Sequence, residues 1–387
     1  MHVIDSFGTG GAEEGIRKLL AGLDPAAFEQ SVCTVAPFPQ VAGNDGARMI
    51  SVGRRGGGRL LLLGKLKRAC DRERPHIVHS RNWGAIEGVL AARIAGVPAV
   101  VHSEHGLELT TYRRQPWRRN VVRRLCFRLA DRVFTVSSAL KTYYADQSGV
   151  LESRIAVIPN GVDTERFRRD EDMRFGVRQK WGASPSTVVI GTVGRLDPIK
   201  DHRTLFTAVS LLLALGVPVQ LVVVGDGPKR KELEADVHTH EGLAARTMFV
   251  GATHDVVAQL NGFDIFVLPS LAEGMSNALL EAMSVGVACV ASRVGGNTEV
   301  IEEGLSGLLF EPGDSLTLAG HLKRLASDSE RRRDLGQNAR RRVETLFSLN
   351  RMLNNYVGLY DGVLAGRQHK SWAGIAQRLH DATASDK

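Results

Sequence analysis

Cysteine is scarce in this chain, and the four that it has lie far apart. They are Cys33, Cys70, Cys126 and Cys289, and no two of them have the spacing of a C-x-x-C motif. Closely spaced cysteines are the usual sign of a structural metal site, or of a disulfide framework in a small secreted domain. We therefore expect buried free thiols, with neither a metal site nor disulfide bonds.

Long hydrophobic runs are also missing. The longest apolar runs are residues 60–63, 211–215 and 221–224, whereas a membrane-spanning helix needs about 20 apolar residues. The first residues read at once as a strand and lack the basic and then apolar pattern of a secretory leader. These features predict a cytoplasmic protein without a membrane span.

Aromatic residues are few, and charge of one sign is in excess. Aromatics make up 6% of the chain, and the net charge is +8. No nucleic-acid-binding module is recognisable, so we do not expect a nucleic-acid partner. The excess positive charge is concentrated between Tyr112 and Val133, where Asp131 is the one acidic residue. The arginines of this segment are Arg113, Arg114, Arg118, Arg119, Arg123, Arg124, Arg128 and Arg132.

From Trp117 onward this arginine-rich segment is amphipathic. Val122, Leu125, Cys126 and Leu129 project onto one helical stripe, and most of the arginines project onto the other side. Basic amphipathic helices suit an anionic membrane surface. A packed helix with a solvated basic face explains the same pattern equally well, and the sequence leaves both interpretations open.

The pattern of strands and helices predicts the fold class. With 387 residues, the chain is long for one domain and sufficient for two. Short runs rich in Val, Ile and Leu alternate with amphipathic segments, which predicts parallel sheets buried on both faces. The predicted strands of the first half are residues 2–6, 31–35, 77–80, 99–103, 132–136 and 155–158. Those of the second half are residues 188–193, 219–224, 248–250, 265–268, 288–291 and 307–310.

We therefore expect an α/β protein with two doubly wound, Rossmann-like domains that face each other across a cleft. The polar stretch of residues 163–186 is the best candidate for the linker. Ligands of such sheets bind at the carboxyl ends of the strands. The motifs that follow predicted strands are accordingly the candidates for function.

The most informative motif is Glu273-Gly-Met-Ser-Asn-Ala-Leu-Leu-Glu281, which follows an apolar strand. Gly274 and Ser276 indicate that a helix begins only near Asn277, which places Glu273 in the loop before the helix and Glu281 one turn inside it. A helix N-terminus offers free N–H groups and a positive dipole end, both of which suit a phosphate. Two carboxylates beside an anion site indicate a sugar-nucleotide site, with one acid for sugar hydroxyls and the other for the ribose.

Two further motifs follow strands and carry charge or glycine. In Gly194-Arg195-Leu-Asp-Pro-Ile-Lys200, the two cations are close enough in sequence to converge on one anion. In Gly8-Thr-Gly10-Gly11-Ala-Glu13, the glycines allow close approach to a ligand. A dinucleotide fingerprint needs a third glycine where Glu13 stands, so nicotinamide binding loses its main support.

Two polar clusters follow strands of the first half. His105 lies in Ser-Glu-His105-Gly106, and a second cluster covers residues 79–83 in the order His-Ser-Arg-Asn-Trp. The second cluster is a candidate for the wall of an acceptor site. The acidic run of residues 170–172 has the spacing of a D-x-D metal site. It does not follow an apolar strand, so we interpret it as solvated charge.

Taken in order along nearly the whole chain, these motifs resemble the retaining glycosyltransferases of family 4, which have the GT-B fold. The resemblance rests on the E-x7-E motif of Glu273 and Glu281, the G-G-x-E opening at Gly10, the H-G pair at His105 and the G-R-L…K-D run at Arg195 and Lys200. It implies hexosyl transfer from a nucleotide-diphosphate sugar, such as a UDP- or GDP-sugar, to a glycan or lipid-linked acceptor. No cofactor and no metal are expected.

The resemblance also assigns roles to residues. Arg195 and Lys200 would stabilise the diphosphate, together with a set of backbone amides that bind the same phosphates. Glu281 would hold the ribose. Glu273 would contact the donor sugar, and His105 would face that sugar from the first domain. The amides in question belong to Gly10, Gly11, Asn277, Ala278 and Leu279.

We expect the first domain to cover residues 1–165 and the second to cover residues 166–346. The resemblance implies that a helix over residues 347–365 crosses back to the first domain. Residues 366–387 are polar and rich in Ala and Ser, and we expect them to form a loosely ordered tail. The segments H-S-R-N-W and E-H-G are similar to those of exopolysaccharide sugar transferases, including those associated with exosortase systems. A nucleotide-sugar epimerase of the same fold and a non-catalytic nucleotide-sugar-binding subunit are the alternatives.

Overall fold

The computed structural model describes residues 1–8, 10–37, 47–53, 58–107 and 116–384, with side chains to residue 366. Within these residues the chain forms two parallel β-sheets, each covered by helices on both faces. The strand order is β3-β2-β1-β4-β5-β6-β7 in the first sheet and β10-β9-β8-β11-β12-β13 in the second, with the strand bounds given next. This is the expected α/β architecture of two facing doubly wound sheets.

The strands of the first sheet are β1 (His2–Ile4), β2 (Ser31–Thr34), β3 (Arg48–Ser51), β4 (Ile77–Arg81), β5 (Ala99–Glu104), β6 (Arg132–Thr135) and β7 (Ile155–Val157). Those of the second sheet are β8 (Val188–Val193), β9 (Val219–Val224), β10 (Thr247–Gly251), β11 (Ile265–Leu268), β12 (Ala288–Ser292) and β13 (Leu308–Phe310). The six strands predicted in each half are present. Strand β3 is an addition, which the sequence hides because this edge strand is only half-buried.

The helices of the first half are α1 (Gly11–Gly22), α2 (Arg59–Glu73), α3 (Glu87–Ile94), α4 (Trp117–Leu129) and α5 (Ser138–Ser148). Those that follow are α6 (Glu171–Lys180), α7 (His202–Ala214), α8 (Arg230–Asp236), α9 (Val256–Gly262), α10 (Asn277–Val285), α11 (Asn297–Val300), α12 (Ser315–Ser327), α13 (Ser329–Leu346) and α14 (Leu349–Ala384). No helix among the described residues is long and apolar enough to cross a membrane.

Both faces of the sheets are buried, as continuous apolar strands predict. In β9, Leu221 and Val223 pack into one apolar cluster, whereas Val222 and Val224 pack into another on the opposite face. The four cysteines are buried and unpaired, which confirms the expectation of free thiols.

The polar stretch predicted as a linker is in fact packed against the second sheet. It contains helix α6, in which Val177 is buried, and the adjoining Trp181 stacks on Phe263 with ring centroids 5.6 Å apart. Arg174 and Arg178 bind the Asp264 carboxylate at 2.5 and 2.9 Å. Two arginines of this stretch are therefore tertiary contacts of the second sheet, whereas Arg166, Arg168 and Arg169, on which the linker prediction rested, are exposed.

The last helix returns to the first sheet and is longer than expected. Met352, Tyr356 and Tyr360 of α14 pack in one apolar cluster with Val101 and Phe134 of the first sheet. The helix continues beyond Gly366 to Ala384, where the sequence analysis expected a loosely ordered tail. The sequence from 367 to 384 contains no proline and several good helix formers, so nothing in it stops the helix.

The orientation of α4 differs from the predicted amphipathic stripe. Arg123 is buried and binds the Glu104 carboxylate at 3.0 Å, whereas Leu125 is 51% exposed. The cause is the carboxylate at the end of β5, which draws Arg123 toward the sheet. The exposed face carries Trp117 and Val121 instead, at 70% and 57% exposure. Arg113 and Arg114 lie outside the described residues.

Candidate active site

The carboxyl ends of the two sheets meet across a cleft, and direct contacts hold the two sides together. The Asn160 side-chain amide donates to the Met275 carbonyl at 3.0 Å. The Ala139 amide donates to the Glu299 carboxylate at 3.1 Å. The two sides of the cleft are therefore in direct contact at both of these points.

The segment from Glu273 to Glu281 has the predicted local structure. Helix α10 begins at Asn277, and the Ser276 hydroxyl caps it by accepting a hydrogen bond from the Leu279 amide at 3.3 Å. The amides at Asn277 and Ala278 precede the first intrahelical hydrogen bond and remain available to a ligand. The Leu279 amide, which the sequence analysis included in the phosphate site, is instead engaged by the cap.

Lys200 and Glu273 form an ion pair beside the start of α10. The Lys200 ammonium lies 2.5 Å from the Glu273 carboxylate, which also accepts a hydrogen bond from the Ser270 hydroxyl at 2.6 Å. Both side chains are largely buried, at 23% and 10% exposure. The sequence motifs predicted a diphosphate role for Lys200 and a sugar role for Glu273, and no motif predicted that the two side chains touch.

Arg195 lies on the same loop as Lys200 but takes no part in the Lys200–Glu273 ion pair. Its side chain is 65% exposed and lies 3.9 Å from the Asp197 carboxylate. Arg195 is free to move toward an anion in the cleft, because an exposed ion pair of this kind contributes little to stability.

His105 follows β5 and faces the second domain. Its Nε2 atom lies 2.8 Å from the Ser103 hydroxyl, and its backbone amide donates to the Asn82 side chain at 2.8 Å. Burial, with a smaller effect of the Arg81 cation, lowers the pKa of His105 to about 3. The imidazole is therefore neutral at physiological pH.

Glycine allows the second domain to approach His105. A Cβ atom on Gly274 would lie 2.1 Å from the His105 carbonyl oxygen, and one on Gly295 would lie 1.8 Å from the Glu273 carbonyl oxygen. Gly295 also has a φ of +48°, which favours glycine. These two glycines let the Glu273 loop pass between the first domain and the turn before α11.

The glycine turn of the first domain lies opposite α10. Gly10 precedes α1 and Gly11 begins it, and the Asn277 side-chain amide donates to the Gly11 carbonyl at 3.5 Å. A Cβ atom on Gly10 would meet the Glu13 carboxylate at 2.4 Å, and burial raises the pKa of that carboxyl. The structure thus brings Gly10 and Gly11 next to the amides at the start of α10.

Lys18 is a residue of this site that sequence reasoning missed. Its ammonium donates to the Gly161 carbonyl at 2.8 Å and to the Asn277 side-chain oxygen at 3.4 Å. Burial lowers the pKa of Lys18 and raises that of Glu281, and the attraction between the two groups opposes both shifts. Lys18 lies seven residues after Gly11 and therefore on the same face of α1. This spacing could have predicted from the sequence that Lys18 belongs to the site.

The site thus combines a helix N-terminus, an Arg–Lys loop, two carboxylates and a neutral histidine. In chemical terms it offers anion-binding groups on the second domain and hydroxyl-binding groups on both domains.

Family comparisons agree with this geometry. Residues 9–166 match the model described as "Glycosyltransferase Family 4", and residues 174–342 match that described as "Glycosyl transferases group 1". Together the two matches take in most of the chain, one in each half of the molecule.

Curated relatives are bacterial sugar transferases. The chain is 29% identical over 309 residues to the UDP-Gal:alpha-D-GlcNAc-diphosphoundecaprenol alpha-1,3-galactosyltransferase of Escherichia coli, with 76% of this chain and 77% of that protein covered. It is 28% identical to the putative glycosyltransferase EpsF of Bacillus subtilis (strain 168), with 79% and 81% covered. It is 24% identical to the capsular polysaccharide biosynthesis glycosyltransferase CapM of Staphylococcus aureus, with 77% and 80% covered.

Solved structures share the fold. The Anabaena protein Alr3699/HepE, solved in complex with UDP-glucose, superposes with a TM-score of 0.82 at 22% identity and covers 93% of this chain and 98% of its own. The sucrose-phosphate synthase of Thermosynechococcus elongatus gives a TM-score of 0.82 at 23% identity, with 94% and 99% covered. The chain belongs to glycosyltransferase family 4 and is a GT-B glycosyltransferase that takes a nucleotide-sugar donor.

Proposed function

We propose that the enzyme transfers a hexosyl group from a nucleotide-diphosphate sugar to a hydroxyl of a glycan or lipid-linked acceptor, with retention at the anomeric carbon. The observation that carries the proposal is the Lys200–Glu273 ion pair beside the start of α10, with His105 opposite. A UDP-sugar is favoured, because the E. coli relative is named for UDP-Gal and the Anabaena neighbour was solved with UDP-glucose. A GDP-sugar is the second choice, since a mycobacterial relative is named as GDP-mannose-dependent.

In this proposal the second domain holds the leaving nucleotide. Lys200 and Arg195 carry positive charge to the diphosphate, and the amides of Asn277 and Ala278 donate to the same phosphates at the positive end of the helix. Glu281 accepts hydrogen bonds from the ribose hydroxyls. The cations supply the charge stabilisation for which other transferases use a metal ion, and we propose that none is needed.

The first domain completes the site around the donor sugar. Glu273 accepts hydrogen bonds from the sugar hydroxyls, and His105 meets the sugar from the other side of the cleft. The amides of Gly10 and Gly11 approach the phosphates. The acceptor oxygen attacks the anomeric carbon as the bond to the phosphate oxygen breaks, and the departing diphosphate takes the acceptor proton. Closure of the cleft keeps water from competing with the acceptor.

Ligand-induced thermal stabilisation tests the donor site. The panel is UDP, GDP, ADP and their common sugar conjugates, each with Mg²⁺ and with EDTA. A ligand at 100 times its Kd stabilises the folded state by about 2.7 kcal/mol, which corresponds to a shift of a few degrees. We expect one nucleotide family to give the shift regardless of EDTA, and the double variant Arg195→Ala, Lys200→Ala to lose it.

A matched double variant controls for the loss of two positive charges. Lys323 and Arg333 are exposed on α12 and α13 of the same domain, so Lys323→Ala with Arg333→Ala should keep the full shift. No shift with any nucleotide would contradict the donor site. Conversion of the donor to its epimer without acceptor would indicate the epimerase alternative, and donor binding without transfer would indicate a binding subunit.

We propose further that the enzyme works at the cytoplasmic face of the plasma membrane, in the synthesis of an exopolysaccharide or another cell-surface glycan. The names of the B. subtilis and S. aureus relatives are consistent with this, and the E. coli relative is named for a lipid-diphosphate acceptor. An association with exosortase systems, suggested by residues 79–83 and 104–106, stays a prediction.

The exposed face of α4 supports membrane contact, but it is not the face on which the predicted apolar stripe lies. Trp117, Val121 and Leu125 are exposed at intervals of four residues, and Arg118 and Arg128 beside them are exposed as well. Such a stripe of apolar side chains among arginines suits the interface of an anionic bilayer.

Sedimentation with vesicles tests this surface. The protein should pellet with phosphatidylglycerol vesicles at low salt and not with phosphatidylcholine vesicles. Trp117→Ser with Val121→Ser should weaken binding about tenfold, because two anchoring side chains are lost. Leu316→Ser is the matched control, since Leu316 is 73% exposed on the second domain. Equal pelleting with both vesicle types would contradict the proposal.

A further inference from the structure

A continuous row of hydrogen bonds connects the last helix to His105. The Tyr360 hydroxyl of α14 lies 2.8 Å from Nδ1 of His79, and Nε2 of His79 lies 2.8 Å from the Ser103 hydroxyl. The same hydroxyl lies 2.8 Å from Nε2 of His105. Four side chains from three separate parts of the chain thus form one row under the active-site histidine.

The inner members of the row, His79, Ser103 and Tyr360, are closed to water. His79 is 1% exposed and Tyr360 is 4% exposed. The rings of Phe134 and Tyr356 pack around His79, with centroid distances of 5.4 and 6.1 Å. Buried polar atoms without partners are costly, so each member of the row depends on its neighbours for its hydrogen bonds.

A hydroxyl oxygen can accept two hydrogen bonds, but among the described residues the Ser103 hydroxyl has no partner other than the two imidazoles. With every bond of the row made, its protons therefore have two possible orders. A neutral imidazole has one N–H donor and one acceptor nitrogen, and a hydroxyl has one donor. Burial and the Arg81 cation lower the pKa of both His79 and His105, so both rings are neutral. If Tyr360 donates to His79, each following group donates toward His105. If the order is reversed, each group donates toward Tyr360.

Arg81 selects between the two orders. Its guanidinium is fully buried, and among the described residues its Nε and Nη2 atoms have no hydrogen-bond partner. Its positive charge also acts on the Tyr360 phenol. Guanidinium groups carry donors only, so the phenol oxygen turns its lone pairs toward Arg81 and its O–H toward Nδ1 of His79. His79 then donates from Nε2 to Ser103, and Ser103 donates to Nε2 of His105.

We propose that Tyr360 and His79 are positioning residues that act through Ser103 to hold His105 as a neutral imidazole with its proton on Nδ1. His105 then offers a hydrogen-bond donor at Nδ1, and Nε2 is occupied by Ser103. A neutral donor suits a site in which positive charge develops at the anomeric carbon, because an imidazolium would repel that charge. The consequence for catalysis rests on the proposed function, in which His105 meets the donor sugar.

The proposal also gives the last helix a role in the active site. Tyr360 lies on α14, more than 250 residues after His105 in the sequence, and α14 packs directly on the strands that carry His79 and Ser103. Docking of this helix therefore affects the tautomer of a histidine in the cleft, in addition to burying apolar surface.

Nitrogen NMR of the full-length protein, with ¹⁵N-labelled histidine, tests the tautomer directly. The His105 ring is assigned by comparison with His105→Asn, and the spectrum shows which ring nitrogen carries the proton. We expect Nδ1–H in the unmodified protein at neutral pH. In Tyr360→Phe, we expect a mixture of the two tautomers at His105, because nothing then donates to Nδ1 of His79.

Steady-state kinetics provide the second measurement. Tyr360→Phe should lower kcat for sugar transfer roughly tenfold or more, by analogy with the loss of a group that orients a metal-bound histidine, with little change in the KM for the donor. Tyr356→Phe is the matched control. Tyr356 is equally buried one turn away on α14, but its hydroxyl is not a member of the row. This variant should keep the tautomer and the rate.

The outcomes separate this inference from the proposed function. His105 protonated at Nε2 in the unmodified protein would overturn the inference whatever the kinetics show. Equal losses of rate in Tyr360→Phe and Tyr356→Phe, with an unchanged tautomer, would also overturn it and leave a packing role only. If the tautomer is as expected but His105→Ala transfers sugar at the normal rate, the row stands and the role of His105 in the proposed function is wrong.

Discussion

Replacing Gly274 with alanine should lower the rate of sugar transfer about 100-fold or more. The added methyl group would lie 2.1 Å from the His105 carbonyl oxygen and 3.1 Å from the Leu140 side chain. Both belong to the first domain, so the two domains cannot close to their present distance. A displacement of about 1 Å between reacting groups is enough for a loss of this size.

The effect of Gly274→Ala should fall on catalysis and not on nucleotide binding. Most of the proposed nucleotide contacts belong to the second domain, and only the Gly10 and Gly11 amides come from the first. Most of the thermal shift with nucleotide should therefore remain while kcat falls. Gly320→Ala is the matched control, because a Cβ atom at this exposed position of α12 meets no atom within 4 Å. A kcat near that of the unmodified enzyme would show that the contact between Gly274 and His105 is not needed for transfer.

Replacing Lys200 with methionine should lower kcat about 100- to 1,000-fold, the usual cost of losing one group that stabilises charge in the transition state. The change has two effects, and both lower kcat. It removes a cation from the proposed diphosphate site, and it leaves the Glu273 carboxylate without the ion pair that neutralises it at 2.5 Å. An unpaired carboxylate at that position repels the diphosphate.

Lys67→Met is the control for Lys200→Met. Lys67 also forms an ion pair, with Asp71 at 2.7 Å, but that pair is exposed on α2, and such pairs contribute little. Initial rates at saturating donor and acceptor measure the difference. The double variant Lys200→Met, Glu273→Gln should recover part of the activity if the unpaired carboxylate is responsible for part of the loss. A kcat within about threefold of the unmodified enzyme would contradict the proposed role of Lys200.

The structure explains why these two changes have larger expected effects than changes elsewhere in the cleft. Gly274 follows Glu273 directly in the chain and determines how closely this loop approaches the first domain. Lys200 contacts the Glu273 carboxylate itself. The Glu273 loop is thus the point at which the proposed phosphate site, the proposed sugar site and the contact between the domains meet.

Much of the architecture was predictable because it depends on local patterns. Strands continuous in Val, Ile and Leu predicted parallel sheets, since strands covered on both faces lose the alternation of polar and apolar residues. The start of α10 at Asn277 was predictable from Gly274 and Ser276, which are poor inside a helix and good before one. The buried cysteines followed from their separation along the chain and their apolar surroundings.

The errors arose where a distant residue determines the orientation of a side chain. Arg123 looked solvated, but Glu104 binds it in the core. Residues 171–180 looked like part of a linker, but Asp264 binds two of their arginines. In both cases a buried carboxylate offsets the cost of removing a guanidinium from water, and periodicity along the helix contains no information about that carboxylate.

The sequence by itself determined the two parallel sheets, the family and the set of motifs at the strand ends, because each depends on residues that are close together in the chain. Only the tertiary structure decided that Lys200 pairs with Glu273, that Lys18 faces Glu281 and that Tyr360 reaches His105 through His79 and Ser103. The residues that these interactions bring together, Lys200 with Glu273, Lys18 with Glu281 and Tyr360 with His105, are 73 to more than 250 positions apart. Their partners are selected by the packing of whole helices and sheets, which no local pattern specifies.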